Sequence, residues 1–131
     1  MTKKIMVVDD SVSIRMLLSL TLTGAGYDVV EAVDGEDALE KLKSAHFDML
    51  IVDINMPHID GIELIRQVRT DVRHKFIPIF MLTTESHSLK RHEGKAAGAT
   101  GWITKPFRAV QLLTIIDNYL EGVLKPSKPP P

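Results

Sequence analysis

Asp9 and Asp10 directly follow the apolar run at 5–8, Asp53 follows 49–52, Thr83 follows 77–82 and Lys105 follows 101–104. All four runs end in carboxylate, hydroxyl or ammonium groups that suit a single chemistry. Carboxylates brought together repel unless one stays protonated or a cation sits among them. A hard divalent ion with oxygen ligands resolves the crowding, and Mg2+ fits best, because it binds through one or two carboxylates, keeps several waters and leaves room for a phosphate oxygen. Lys105 can then neutralise a second oxygen of the same phosphate, and the Thr83 hydroxyl can donate to a third. Phosphoryl transfer asks little more of a protein than positioning and charge neutralisation. A carboxylate is also a competent nucleophile toward phosphorus. Asp53 competes with the Asp9/Asp10 pair for that role. It is favoured because it stands alone on the strand predicted to be central, whereas the adjacent pair is better placed to hold the metal.

These groups meet only if the runs are strands of one sheet pointing the same way. Short apolar strands alternating with helical stretches predict a parallel sheet with helices on both faces, whose ligands bind beyond the carboxyl ends of the strands. The first strand covers 5–8. A helix follows over 13–23 with Ile14, Leu17, Leu18 and Leu22 on one face, stopped by Gly24 and Gly26. Residues 28–32, polar at both ends, suit an outer strand, and Asp34 caps a helix carrying Ala38, Leu39 and Leu42, with Asp37 three positions on. The third strand spans 48–52. Asp60 and Glu63 form a capping box for a helix with Ile62, Ile65 and Val68 inward. The fourth strand covers 77–82, and the helix over 86–97 has little to bury beyond Leu89, Ala96 and Ala97. Its interior Gly94 costs about 1 kcal/mol against alanine, so this is expected to be the least stable helix. A short strand at 101–104 and a helix over 108–120, with Leu112, Leu113, Ile116 and Leu120, close the fold.

Composition narrows the function classes. A chain of 131 residues fits one domain. Lys+Arg at 16 against Asp+Glu at 17 gives a net charge of -1, with no footprint of nucleic-acid or anionic-membrane binding. There is no cysteine, hence no disulfide framework, thiol nucleophile or Cys-based zinc site. No run approaches transmembrane length, and MTKKIMVV leads into a strand pattern rather than a signal peptide, so a cytoplasmic protein is expected. His46, His58, His74, His87 and His92 never take the i, i+4 spacing that aligns two imidazoles on a helix, and solvent-exposed histidines are expected rather than a metal site. Residues 1–121 form the domain. In the proline-rich tail at 122–131, four of the last seven residues lack an amide donor, which predicts a disordered end or a linker stub. The turn VVDDSVS is not the glycine-rich loop that dinucleotide binding needs.

VVDDS followed by Arg15, DINMPHIDG, MLTTE and GWITKPF, in that order over about 4–120, resemble the receiver domain of two-component response regulators, most closely the single-domain chemotaxis regulators of the CheY type. The resemblance implies a flavodoxin-like α/β fold, a five-stranded parallel sheet of order 2-1-3-4-5 with five helices on both faces. It places the phosphorylation on Asp53 and implies Mg2+ held by Asp10, Asp53 and the carbonyl of Asn55, with Asp9 acting through metal-bound water. It also assigns Thr83 and Lys105 to the phosphate and implies a cis bond between Lys105 and Pro106. Trp102 stands where the family has an aromatic residue whose inward rotation accompanies movement of the Thr83 hydroxyl. Indole is larger than the usual tyrosine or phenylalanine and carries a donor, which restricts its travel. Asn55 and Glu85 occupy the positions that tune water access to the acyl phosphate, and Thr84 narrows that access where smaller residues are frequent.

The function implied is a phospho-accepting switch rather than an enzyme. A sensor histidine kinase donates to Asp53, and the face of the fourth helix, fifth strand and fifth helix, made basic by Lys90, Arg91 and Lys95, engages a protein target. Chemotaxis is the expected process, the flagellar motor switch a candidate target, a phosphatase a further partner, and a monomer the expected state. A receiver excised from a larger regulator is the alternative. From a different class comes a Mg2+-dependent phosphohydrolase with an aspartyl nucleophile, but those of the haloacid dehalogenase type look for a second Asp two residues on, where this chain has Asn55.

Overall fold

The computed structural model describes residues 2–56, 58–84 and 88–121. Five strands alternate with five helices: β1 (Lys4–Val8), α1 (Val12–Gly24), β2 (Asp28–Ala32), α2 (Gly35–Ser44), β3 (Met49–Asp53), α3 (Gly61–Val68), β4 (Ile79–Thr83), α4 (Ser88–Ala97), β5 (Gly101–Thr104) and α5 (Ala109–Leu120). All strand pairs are parallel, in the order β2-β1-β3-β4-β5. The α/β architecture expected from the apolar runs is the one observed.

The sheet separates two apolar layers. Met6, Val8, Leu50, Val52, Ile79 and Met81 face one core, shared with Ala38, Leu42, Leu64, Ile65 and Val68 of α2 and α3. Their neighbours Ile5, Val7, Met49, Ile51, Phe80 and Leu82 face the other, shared with Leu18 and Leu22 of α1 and Leu112, Ile116 and Leu120 of α5. Alternation of side chains along a strand sends successive residues to opposite faces, and both faces are covered, so β3 and β4 are wholly buried and apolar up to their last residues, Asp53 and Thr83. Among the described residues, three helices start on side-chain caps: Ser11 accepts from the Ile14 amide, Asp34 from Asp37 and Asp60 from Glu63. Each satisfies one of the unpaired amides of a first helical turn.

The structure corrects several details. Leu17 is 49% exposed, while Ile14, Leu18 and Leu22 form the inward line of α1, because positions four apart stack on one face and position 17 is turned away from it. β4 begins at Ile79 and not at 77, since Pro78 has no amide to donate to a ladder. In α4, Leu89 is 70% exposed and the one buried residue is Gly94. The expected tail at 122–131 and the first turn expected at 86–87 lie outside the described residues.

Candidate functional site

Strand order reverses between β1 and β3, the central pair, and the crevice beyond their carboxyl ends is where a doubly wound sheet binds ligands. Register carries the chemistry into that crevice. Val8 pairs with Val52, Asp53 with Leu82, and Thr83 with Thr104. Asp9, Asp53, Thr83 and Lys105 therefore emerge side by side along one sheet edge.

Asp9, Asp10 and Asp53 each present a carboxylate oxygen to a common centre, within 4.8 Å of one another. Asp9 and Asp53 are buried and Asp10 is exposed. One Asp9 oxygen, Oδ1, accepts from the Ser11 amide at 2.9 Å. Its other oxygen, Oδ2, is buried without a hydrogen bond among the described residues and lies 3.5 Å from the Lys105 ammonium. A buried, unsatisfied carboxylate oxygen is costly, and here it faces two further carboxylates. A hard divalent cation among the three carboxylates fits that geometry.

Asp53 Oδ1 accepts from the Asn55 amide at 3.2 Å and from Lys105 Nζ at 3.2 Å. Burial pushes the Asp53 carboxyl above the ordinary carboxylate range, and the Asp9 charge pushes it further; the Asn55 amide and Lys105 partly offset this. The loop after Asp53 returns so closely that a Cβ on Gly61 would lie 2.3 Å from the Asp53 carbonyl oxygen. Only glycine fits there. Thr83 is buried at the end of β4, its hydroxyl donating to the Thr84 carbonyl at 3.2 Å. The Lys105 amide donates to the Thr83 carbonyl at 2.7 Å, and the Lys105–Pro106 bond is cis.

The family model described as "Response regulator receiver domain" matches residues 5–117. The chain belongs to this family. The receiver domain is similar to the chemotaxis protein CheY of Pseudomonas aeruginosa, at 40% identity over 121 residues, 92% of this chain and 98% of that protein. It is also similar to the alkaline phosphatase synthesis transcriptional regulatory protein PhoP of Bacillus subtilis, at 42% identity over 107 residues, but spans only 44% of that protein's length. Among solved structures it resembles CheY4 of Vibrio cholerae, with a TM-score of 0.87 and 48% identity, covering 92% of this chain and all of that one. Receiver domains of this family are signalling switches rather than classical enzymes, and they take phosphoryl groups from sensor histidine kinases. No helix among the described residues is long and apolar enough to cross a membrane.

Other sequence candidates take varied places in the receiver domain. Asn55 is exposed at the rim of the site. Trp102 stands outward on β5, 42% exposed, with the Arg91 guanidinium of α4 5.2 Å from its ring centre. Glu85 and His87 lie outside the described residues. His58 is exposed in a left-handed backbone conformation, φ 66°. His74 departs from the expected solvent exposure: it is wholly buried. Its Nε2 accepts from the Phe47 amide at 3.1 Å, its Nδ1 donates to Asp71 at 2.8 Å, and its ring stacks on His46. A single histidine in a polar loop carries no periodic signal of such burial. Sequence reasoning also left Arg15 without a role, although it reaches the Asp9 carbonyl.

Proposed function

We propose that the protein is a phosphorylation-controlled binding switch, in which Asp53 takes a phosphoryl group from a sensor histidine kinase with Mg2+ held by Asp9, Asp10, Asp53 and the Asn55 carbonyl. The observation that carries this reading is the pairing of buried Asp53 with Lys105 at 3.2 Å beside the open oxygen of Asp9. An oxygen of Asp53 attacks the phosphorus in line, an O–P bond forms as the P–N bond to the donor histidine breaks, and the released imidazole nitrogen takes up a proton. Mg2+ supplies neutralisation of the charge gathered on the phosphoryl oxygens. Lys105 neutralises another of those oxygens. The Thr83 hydroxyl turns from the Thr84 carbonyl toward the phosphate, and Trp102 rotates inward behind it.

Trp102 borders two grooves, which supports its part in the switch. One, of about 760 Å³, lies between β5 and α5 and is lined by Trp102, Lys105, Pro106, Val110, Gln111 and Ile115. The other lies against α4 beside Arg91, His92 and Lys95. A change at Trp102 therefore reshapes the α4-β5-α5 face, where a protein target binds. By similarity to the CheY proteins, the process is chemotaxis and the flagellar motor switch the target, with a phosphatase resetting the switch. The working form is a cytoplasmic monomer whose receiver domain covers residues 1–121, on its own or within a longer regulator. Asn55 and Glu85 set a phosphate lifetime of seconds to a few minutes.

Incubation with a small phosphodonor and Mg2+ tests the reading by intact mass and Trp102 fluorescence. One phosphate is gained on Asp53, fluorescence changes, and Asp53→Asn abolishes both. Absence of the mass gain overturns the reading, and steady turnover of an unrelated phosphoester in its place establishes the phosphohydrolase alternative.

A further inference from the structure

We infer that Arg15 is a positioning residue of the acidic site, holding the turn between β1 and α1 so that one Asp9 oxygen stays open to a cation. The inference rests on the reading that Asp9, Asp10 and Asp53 hold Mg2+.

Arg15 lies one turn into α1, beyond the Ser11 cap, and its side chain is only 12% exposed. Nη1 donates to the Asp9 carbonyl at 2.7 Å, and Nε donates to Glu31 Oε1 at 3.2 Å. Glu31 is itself held: Oε2 accepts from the Ser19 hydroxyl at 2.7 Å, and its carbonyl accepts from Lys41 at 2.6 Å. Lys41 also pairs with Asp37 at 3.1 Å. The guanidinium is thus braced by α1, β2 and α2 together before it touches the turn.

At the turn, each polar group of Asp9 but one has a fixed partner. Its amide donates to the Ala32 carbonyl at 3.2 Å, its Oδ1 accepts from Ser11, and its carbonyl accepts from Arg15. Oδ2 alone lacks a hydrogen bond among the described residues, with only the Lys105 ammonium 3.5 Å away. The Asp9 carbonyl also belongs to the peptide plane that joins Asp9 to Asp10, and that plane is rigid. Holding it restrains the backbone from which the two carboxylates project. Arg15 brings a positive charge close to a cation site, which by itself repels a cation. The Glu31 carboxylate neutralises that charge, so what remains is geometric support. Such outer partners orient ligands, and their loss weakens metal binding.

Calorimetric titration of the full chain with Mg2+ alone measures this, alongside urea unfolding in chelator. Arg15→Ala is expected to raise the Mg2+ dissociation constant roughly tenfold, and Arg15→Lys to restore part of the loss. Phosphorylation by a small donor recovers in Arg15→Ala at saturating Mg2+. Glu31→Gln, on the exposed side of the pair, leaves the fold intact and weakens Mg2+ by a smaller factor, and the double variant binds no worse than Arg15→Ala. A lowered urea midpoint with an unchanged Mg2+ constant in Arg15→Ala and Glu31→Gln reduces Arg15 to a structural brace and overturns the inference. No Mg2+ binding by the unsubstituted chain overturns the metal reading itself.

Discussion

At the scale of single residues, two aspartates respond to the fold in opposite senses. Asp71 is held below the ordinary range by its hydrogen bond from His74 and then by the Arg73 amide. The fold favours its charged form, so its contribution is present above the ordinary value of 3.8 and is lost as pH falls through the lowered one. Asp53 is raised, first by burial and then by Asp9. Its fold favours the neutral form, so that contribution is present below 3.8 and lost as pH rises through the raised value. Urea unfolding in chelator separates the two. Asp71→Asn is expected to be less stable than the parent at pH 6 by about 1 kcal/mol, with the gap closing in acid. Asp53→Asn gains on the parent as pH rises toward neutrality. Parallel pH profiles for parent and variants overturn these assignments.

At the scale of elements, α4 is held chiefly at its C-terminal half. A Cβ on Gly94 would sit 1.9 Å from the buried Met81 sulfur on β4. Beyond the helix, the Arg69 guanidinium donates to the Gly98 carbonyl at 2.8 and 2.9 Å, and to the carbonyls of Lys75 and Ile77. By propensity alone, Gly94→Ala should add about 1 kcal/mol of stability. Overpacking against Met81 opposes that gain and outweighs it, because Met81 is fully buried and its Sδ and Cε have to repack within the core. Gly94→Ala is expected to cost about 1–3 kcal/mol in denaturant unfolding. Combined with Met81→Ala, the loss falls short of the sum of the single effects, since the overlap is gone. A stabilised Gly94→Ala contradicts the close approach. At its start, Ser88 and Leu89 are exposed, Leu89 by 70%.

At the scale of the whole molecule, the acidic site works against the fold that builds it. Two apolar layers bury Asp9 and Asp53 beside each other, and their repulsion is relieved only in part by Lys105 at 3.5 and 3.2 Å. A cation that binds the folded chain and not the unfolded one must stabilise it. At Mg2+ a hundredfold above its dissociation constant the gain is about 2.7 kcal/mol, read as a rise in the urea midpoint over chelator. Asp53→Asn or Asp10→Asn shrinks the rise, and an unchanged midpoint in the parent removes the cation from the site.

By itself, the sequence determined the alternation of strands and helices and the strand-end placement of Asp9, Asp10, Asp53, Thr83 and Lys105. Both are local properties: apolar runs of strand length, caps at Asp34 and Asp60, and a polar residue directly after each run. Tertiary structure alone decided which oxygen of Asp9 stays open, that Arg15 meets Glu31 across 16 positions, that His74 is buried against Phe47, and that Gly94 of α4 packs on Met81. Those depend on register and interlayer packing, in which a shift of one residue sends a side chain to the other face, and no local pattern records them.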